Sequence, residues 1–135
     1  MANEVYGKGL EGFLDGTIDW DTDNIKVMIV DTADYIADLA LDSVLADVPV
    51  IARIATSANL TVKTAIDGVA DAADVTFAAV TGDQSEALVI YQDTGVEATS
   101  RLIVYIDTAT GLPVTPNGGD IQIQWDNGPN RIFKL

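Results

Sequence analysis

Two short runs constrain this chain more than any other stretch: Ala87-Leu88-Val89-Ile90-Tyr91 and Leu102-Ile103-Val104-Tyr105-Ile106. Each has the length of one strand, is rich in β-branched and aromatic residues, and contains no Gly or Pro. Neither alternates between apolar and polar. Along the first, Leu88 and Ile90 face one way, and Ala87, Val89 and Tyr91 the other. A strand apolar on both faces must be covered on both faces. The two runs are therefore expected to pair at the centre of a sheet, with material packed above and below.

Other stretches repeat the signal. Ile25-Lys26-Val27-Met28-Ile29-Val30 reads as a strand closed by Asp31-Thr32. Val50 to Ala58, Leu60 to Thr64, Val75 to Ala78, Ile121 to Trp125 and Arg131 to Leu135 are further candidates. Asp67-Gly68 is a strong hairpin dipeptide, and Asp126 to Asn130 reads as a turn. Leu10, Phe13 and Leu14 have helical spacing, so a short helix is expected within Tyr6–Gly16, ended by Asp15-Gly16. Its three interior glycines each cost about 1 kcal/mol relative to Ala, so only tertiary packing can stabilise it. One or two helical turns are also expected between Ala33 and Val48, capped by Asp42 or Ser43 and running to Asp47. The 135 residues suffice for one domain. Eight or nine short strands with turns between them predict a mainly β chain. The expected fold is a single antiparallel β-sandwich or jelly-roll-like domain over 1–135, with one or two short helices.

Composition bounds the function. Apolar residues make up 48% and charged residues 21%. That is more apolar surface than a small domain hides easily, so other chains are expected to cover part of it. Twenty-one acidic residues face seven basic ones, for a net charge of -14. No Lys or Arg cluster exists to grip phosphates, so nucleic acid and anionic membranes are poor partners. Seventeen of the acidic residues are Asp, which belongs in turns and caps more than in helices. There is no Cys and no His. Disulfides, Cys/His zinc sites, Ser-His-Asp triads and Cys-His pairs are all excluded. The opening residues lack the basic and apolar regions of a signal peptide. No apolar run approaches the ~20 residues of a membrane span. A protein made and kept in the cytosol, or released by lysis, is expected.

Few constellations carry chemistry. Asp19, Asp21 and Asp23 have the spacing of a calcium loop, but Asn24 and Val30 stand where such a loop wants Gly and a bidentate Glu. If an ion binds, these three carboxylates are the expected ligands; otherwise they form an exposed acidic turn. Asp67, Asp71 and Asp74 could pair as acid and base in glycoside hydrolysis, but only nine aromatics exist to build a sugar cleft. No enzyme and no cofactor is expected. Thr115 to Asp120 is glycine-bearing, yet without a following helix or Lys it is a turn rather than a phosphate loop. Trp125 is in phase with Ile121 and Ile123 and belongs to the core. Trp20, among acidic turn residues, is the better candidate for a partly exposed interface anchor.

The opening Met1-Ala2-Asn3, Val5-Tyr6, Lys8-Gly9-Leu10-Glu11 and Phe13-Leu14, leading through Gly16, Ile18-Asp19 and Asp23 into Ile25-Lys26-Val27, resembles a family of small structural proteins of tailed bacteriophages. The likeness continues through Asp74-Val75-Thr76-Phe77, Ala87 to Tyr91, Gly111-Leu112-Pro113-Val114, Thr115 to Ile121 and Trp125. It spans nearly the whole chain but carries no catalytic signature. It implies a virion component on the capsid exterior, made in the host cytoplasm. The form it implies is a decoration or cement protein that meets the major capsid protein and its own copies, as a trimer in many such proteins. A neck, tail or head-fibre component, or a calcium- or glycan-binding attachment module, are the alternatives. The N-terminal segment 1–16 is expected to be a contact element between copies, through Tyr6, Leu10, Phe13 and Leu14, with Trp20 beside it. On that expectation, Phe13→Asp abolishes assembly and leaves secondary structure intact.

Overall fold

Ala87–Gln92 and Leu102–Ile106 lie side by side, antiparallel, in the computed structural model, which describes residues 4–129 and 131–135. In chain order the elements are β1 (Glu4–Val5), α1 (Gly7–Asp15), β2 (Ile25–Val30), β3 (Arg53–Thr56), β4 (Thr64–Ile66), β5 (Val69–Asp71), β6 (Val75–Phe77), β7 (Ala87–Gln92), β8 (Leu102–Ile106), β9 (Ile121–Ile123) and β10 (Phe133–Lys134). All strand pairs are antiparallel. A five-stranded sheet has the order β1-β8-β7-β2-β3, a three-stranded sheet β10-β5-β4, and a two-stranded sheet β6-β9. The protein is therefore mainly β, with one α-helix among the described residues. Residues 1–3 of the expected contact segment and Asn130 of the expected last turn lie outside the described residues.

The central strands are covered on both faces, as their sequence requires. Ile25, Val27, Ile29, Leu88, Ile90 and Ile106 pack on one side against Phe77, Ile123 and Phe133 from the smaller sheets and against Trp125, just beyond β9. Met28, Val30, Val89, Tyr91 and Tyr105 pack on the other side under Tyr35, Leu45, Val48 and Ala52. That second cover is not a sheet but the irregular connection between β2 and β3. Full burial of each such aliphatic stabilises the fold by roughly 1.5–3 kcal/mol.

β2 matches its expected bounds, while other expectations shift for identifiable reasons. The helical turns expected before Val48 reduce to one 3-10 turn, Leu45–Asp47. The Asp47 carboxylate accepts from the backbone N–H groups of Ser43 and Val44, closing the turn, and Pro49 follows. The run expected from Val50 begins with a second 3-10 turn, Val50–Ala52, before β3. The strand expected over Leu60–Thr64 begins only at Thr64. Ser57 N–H donates to Val27 O and Leu60 N–H to Ile25 O, so the chain after β3 stays beside β2. The Asp67-Gly68 hairpin joins β4 to β5 as expected; φ is 53° at Asp67 and 78° at Gly68, the twin left-handed residues a tight two-residue turn needs.

α1 explains its own glycines. Tyr6 N–H donates to Ile103 O at 2.8 Å, which brings the helix onto the β8 backbone beyond the end of β1. A Cβ at position 9 would lie 2.8 Å from Ile103 O and 3.1 Å from Leu102 O. Gly9 is what lets a helix cover this sheet edge so closely. Gly16, at φ 80°, ends the helix in the left-handed conformation.

Candidate functional site

The expected contact segment divides into an inward and an outward half. Tyr6 is fully buried, and its hydroxyl lies 2.8 Å from that of Tyr35. Tyr35 donates its own proton to Asp42 Oδ2 at 2.8 Å, so Tyr6 is the donor of the pair. Burial pushes both phenols far above the usual tyrosine range. Phe13 is half-buried, with its ring 5.9 Å from that of Phe133. Leu10 and Leu14 are exposed, Leu14 by 89%. The chain itself therefore occupies Tyr6 and much of Phe13. Phe13→Asp would damage the protomer's own core, so it does not isolate a contact between copies. Of Tyr6, Leu10, Phe13 and Leu14, it is Leu10 and Leu14 that are exposed to meet another molecule.

Trp20 corrects an expectation. It is only 4% exposed, its ring meets Phe133 edge-on at 5.2 Å, and its indole N–H donates to Asp71 O at 3.2 Å. It is a core residue rather than a partly exposed anchor, because Phe133 and the β5 backbone satisfy both its apolar body and its polar tip. Trp125 is buried as expected, its indole N–H donating to Ala73 O at 3.0 Å and its backbone N–H to Asp74 Oδ1 at 3.0 Å. The stretch from Asp71 to Asp74 thus holds both indoles. The Asp74 carboxylate serves there as the acceptor for a backbone N–H.

The three carboxylates of the Asp19–Asp23 turn are put to local use. Asp23 Oδ2 accepts from Asp19 N–H at 2.8 Å and from the Gln92 side-chain amide at 2.7 Å. Asp19 and Asp21 share a side-chain hydrogen bond, which lowers the Asp19 carboxyl and raises that of Asp21. The Lys63 ammonium reaches Asp23 O. Among the described residues, the acidic group whose oxygens converge lies elsewhere: one oxygen from each of Asp31, Asp34 and Asp83 falls within 4.8 Å of the others. Sequence spacing could not reveal this group, because Asp83 arrives from a turn more than fifty residues after Asp31. Asp31 also turns its own loop, its Oδ1 accepting from Ala33 N–H at 2.9 Å.

Two open cavities flank the central sheet. One, of about 580 Å³, is lined by Val5, Ile106, Trp125 and Phe133 together with Glu4 and Arg131. The other, of about 490 Å³, is lined by Lys8, Thr17, Gln92, Thr99 and Arg101 among others. The Arg101 guanidinium Nη1 is buried 3.8 Å from Asp15 Oδ2 and has no hydrogen-bond partner among the described residues. Asp15 is held below the usual carboxylate range chiefly by the Thr17 hydroxyl and backbone N–H, and only secondarily by Arg101. No helix among the described residues is long and apolar enough to cross a membrane. Ten large hydrophobic side chains of the described residues stand exposed, Ile36, Leu41, Val50 and Ile51 among them in the connection that covers the second face of the central sheet. Compared with protein-family models and with curated proteins, the chain matches none.

Proposed function

We propose that this chain is a structural protein of a virion: a decoration or cement protein that binds the outer surface of a phage capsid and stabilises the shell. In this reading its partners are the major capsid protein and copies of itself, and its sheets form a jelly-roll-like sandwich closing over the larger core. The observation that carries the reading is the surface. Among the described residues, ten large hydrophobic side chains are exposed on a small chain of net charge -14. Isolated exposed aliphatics are ordinary, but this many on so small a surface fit a protein that finishes its burial against neighbours. Weak contacts repeated over many copies stabilise a shell by multivalency. The resemblance to small phage structural proteins points the same way.

The test is addition to capsids that lack the protein. The protein is expected to co-sediment with them and to raise the temperature at which the shells open. Capsids that neither bind it nor gain heat resistance would refute the reading. Labelling confined to one vertex or to the tail would assign it to the neck, tail or a head fibre instead. Heat signals on calcium titration, or binding on a glycan array, would favour an attachment module.

A further inference from the structure

The acidic residues are unevenly spread. Val48 to Ile66, nineteen consecutive residues, contain no Asp or Glu, the longest such run in the chain. Its two cations are turned to the chain's own groups. Arg53 donates to Leu45 O and Val48 O and pairs with Glu97 at 2.7 Å, and Lys63 reaches Asp23 O. The outward surface of the run is therefore neutral. Four of the ten exposed large hydrophobics sit on it: Val50, Ile51, Val62 and Ile66, each 65–77% exposed.

The run also carries a free sheet edge. β3 is the last strand of the five-stranded sheet, with no strand on its outer side among the described residues. The chain from Ser57 to Leu60 prolongs that edge beside β2. Among the described residues, no backbone hydrogen bond to a loop or turn covers Ile54, Ala55 or Thr56 from outside. Proteins usually guard such an edge with a charge, a proline or a bulge. Here the bulge lies at the Arg53 end, and no charge follows before Lys63.

We infer that this seam binds a second copy of the same chain, edge to edge and antiparallel, about a two-fold axis near Thr56 and Ser57. Three features select a second copy. An antiparallel edge is complementary to itself, since its N–H groups meet the carbonyls of its twin under a two-fold rotation. That rotation carries Val50 and Ile51 of one copy toward Val62 of the other, so the exposed apolar ends cover each other. Charge gives the third. Two chains of net charge -14 repel least where they meet through a stretch that carries no carboxylate of its own, whereas a basic partner would gain more from the acid-rich remainder of the surface. The resulting assembly has even symmetry, which departs from the trimer implied by the phage resemblance. The inference builds on the self-association in the proposed function and does not involve the capsid.

Sedimentation equilibrium of the full chain without capsids tests it. The wild type is expected at twice its 14.3 kDa mass. Thr56→Glu is expected to weaken association roughly a hundredfold by setting like charges together at the axis, with an unchanged far-UV spectrum. Thr56→Lys alone should do the same, and mixing the two variants should restore the dimer. Should either variant misfold, Ile51→Asp supplies the same test at an exposed position. Leu14→Asp, on α1 outside the seam, should remain dimeric. A wild type that stays monomeric, a trimer, an oligomer indifferent to Thr56→Glu and Ile51→Asp, or one dissolved by Leu14→Asp would each overturn the inference. A seam whose substitutions impair only capsid binding would overturn it too, and would leave the decoration reading standing. A seam dimer that ignores capsids would do the reverse.

Discussion

Tyr35→Phe should cost more stability than Tyr6→Phe, although the two remove the same atom. The order follows from the direction of one hydrogen-bond chain. Tyr6 donates to Tyr35, and Tyr35 donates to Asp42, whose Oδ2 also accepts from Asp38 N–H at 2.9 Å. Without the Tyr6 hydroxyl, Tyr35 keeps its acceptor, and the loss is that of one ordinary hydrogen bond, about 0.5–1.5 kcal/mol. Without the Tyr35 hydroxyl, Tyr6 keeps a proton it cannot place, at a position with no exposure to water. An unsatisfied buried donor costs about 1–3 kcal/mol, on top of the lost bond to Asp42. Removing both hydroxyls takes the orphan away, so the double variant should be no less stable than Tyr35→Phe alone. Urea denaturation of the four proteins forms a complete cycle, with an expected coupling of about 1 kcal/mol. Equal losses for the two single variants, or additivity within about 0.3 kcal/mol, would refute the assigned direction. The same burial has an alkaline consequence. Both phenols titrate higher in the folded than in the unfolded chain. Their contribution is complete below the unfolded value near pH 10 and is lost as pH rises beyond it, and Tyr6→Phe should reduce that loss.

Gly9→Ala should destabilise by about 1–3 kcal/mol in chemical denaturation despite its better helix propensity, because the new Cβ meets the carbonyls of Ile103 and Leu102; a gain would mean that α1 can lift off the sheet edge freely. The Lys26 ammonium, 2.8 Å from Asp93, holds the Asp93 carboxyl below its usual range, so the pair's contribution is present above the unfolded carboxylate value and lost as pH falls through the lower folded one. Asp93→Asn should therefore cost about 0.5–1 kcal/mol near neutrality, with the difference from wild type closing in acid; a gap unchanged below about pH 2 would count against the pairing. Asp83→Asn should raise the thermal midpoint at low ionic strength by relieving the convergence of Asp31, Asp34 and Asp83, and the gain should shrink at about 1 M salt. A drop in the midpoint that a chelator reproduces in the wild type would mean instead that the three carboxylates hold a cation.

The central architecture was legible because strands read locally. Residues with apolar side chains on both faces, as in β7 and β8, have no stable place except between two layers, whatever the rest of the chain does. The Asp67-Gly68 turn and the Gly16 helix end were legible for a similar reason, since few other residues accept their backbone angles. Side chains that choose between neighbours were not legible. Trp20 sits among aspartates in sequence, and only the fold brings Phe133 and the Asp71 carbonyl to it. Gly9 and Gly12 suited close packing in general, and only the fold makes the chain's own β8 and Ile18 their neighbours.

The sequence by itself therefore determined the mainly β character, the Asp67-Gly68 turn and the abundance of acidic residues, because these depend on each residue's own conformational preference and charge. The tertiary structure alone decided which carboxylates converge, which tryptophan is hidden, and that the longest acid-free run lies along an open sheet edge. Those properties are distances between residues far apart in the chain, and no local preference encodes them.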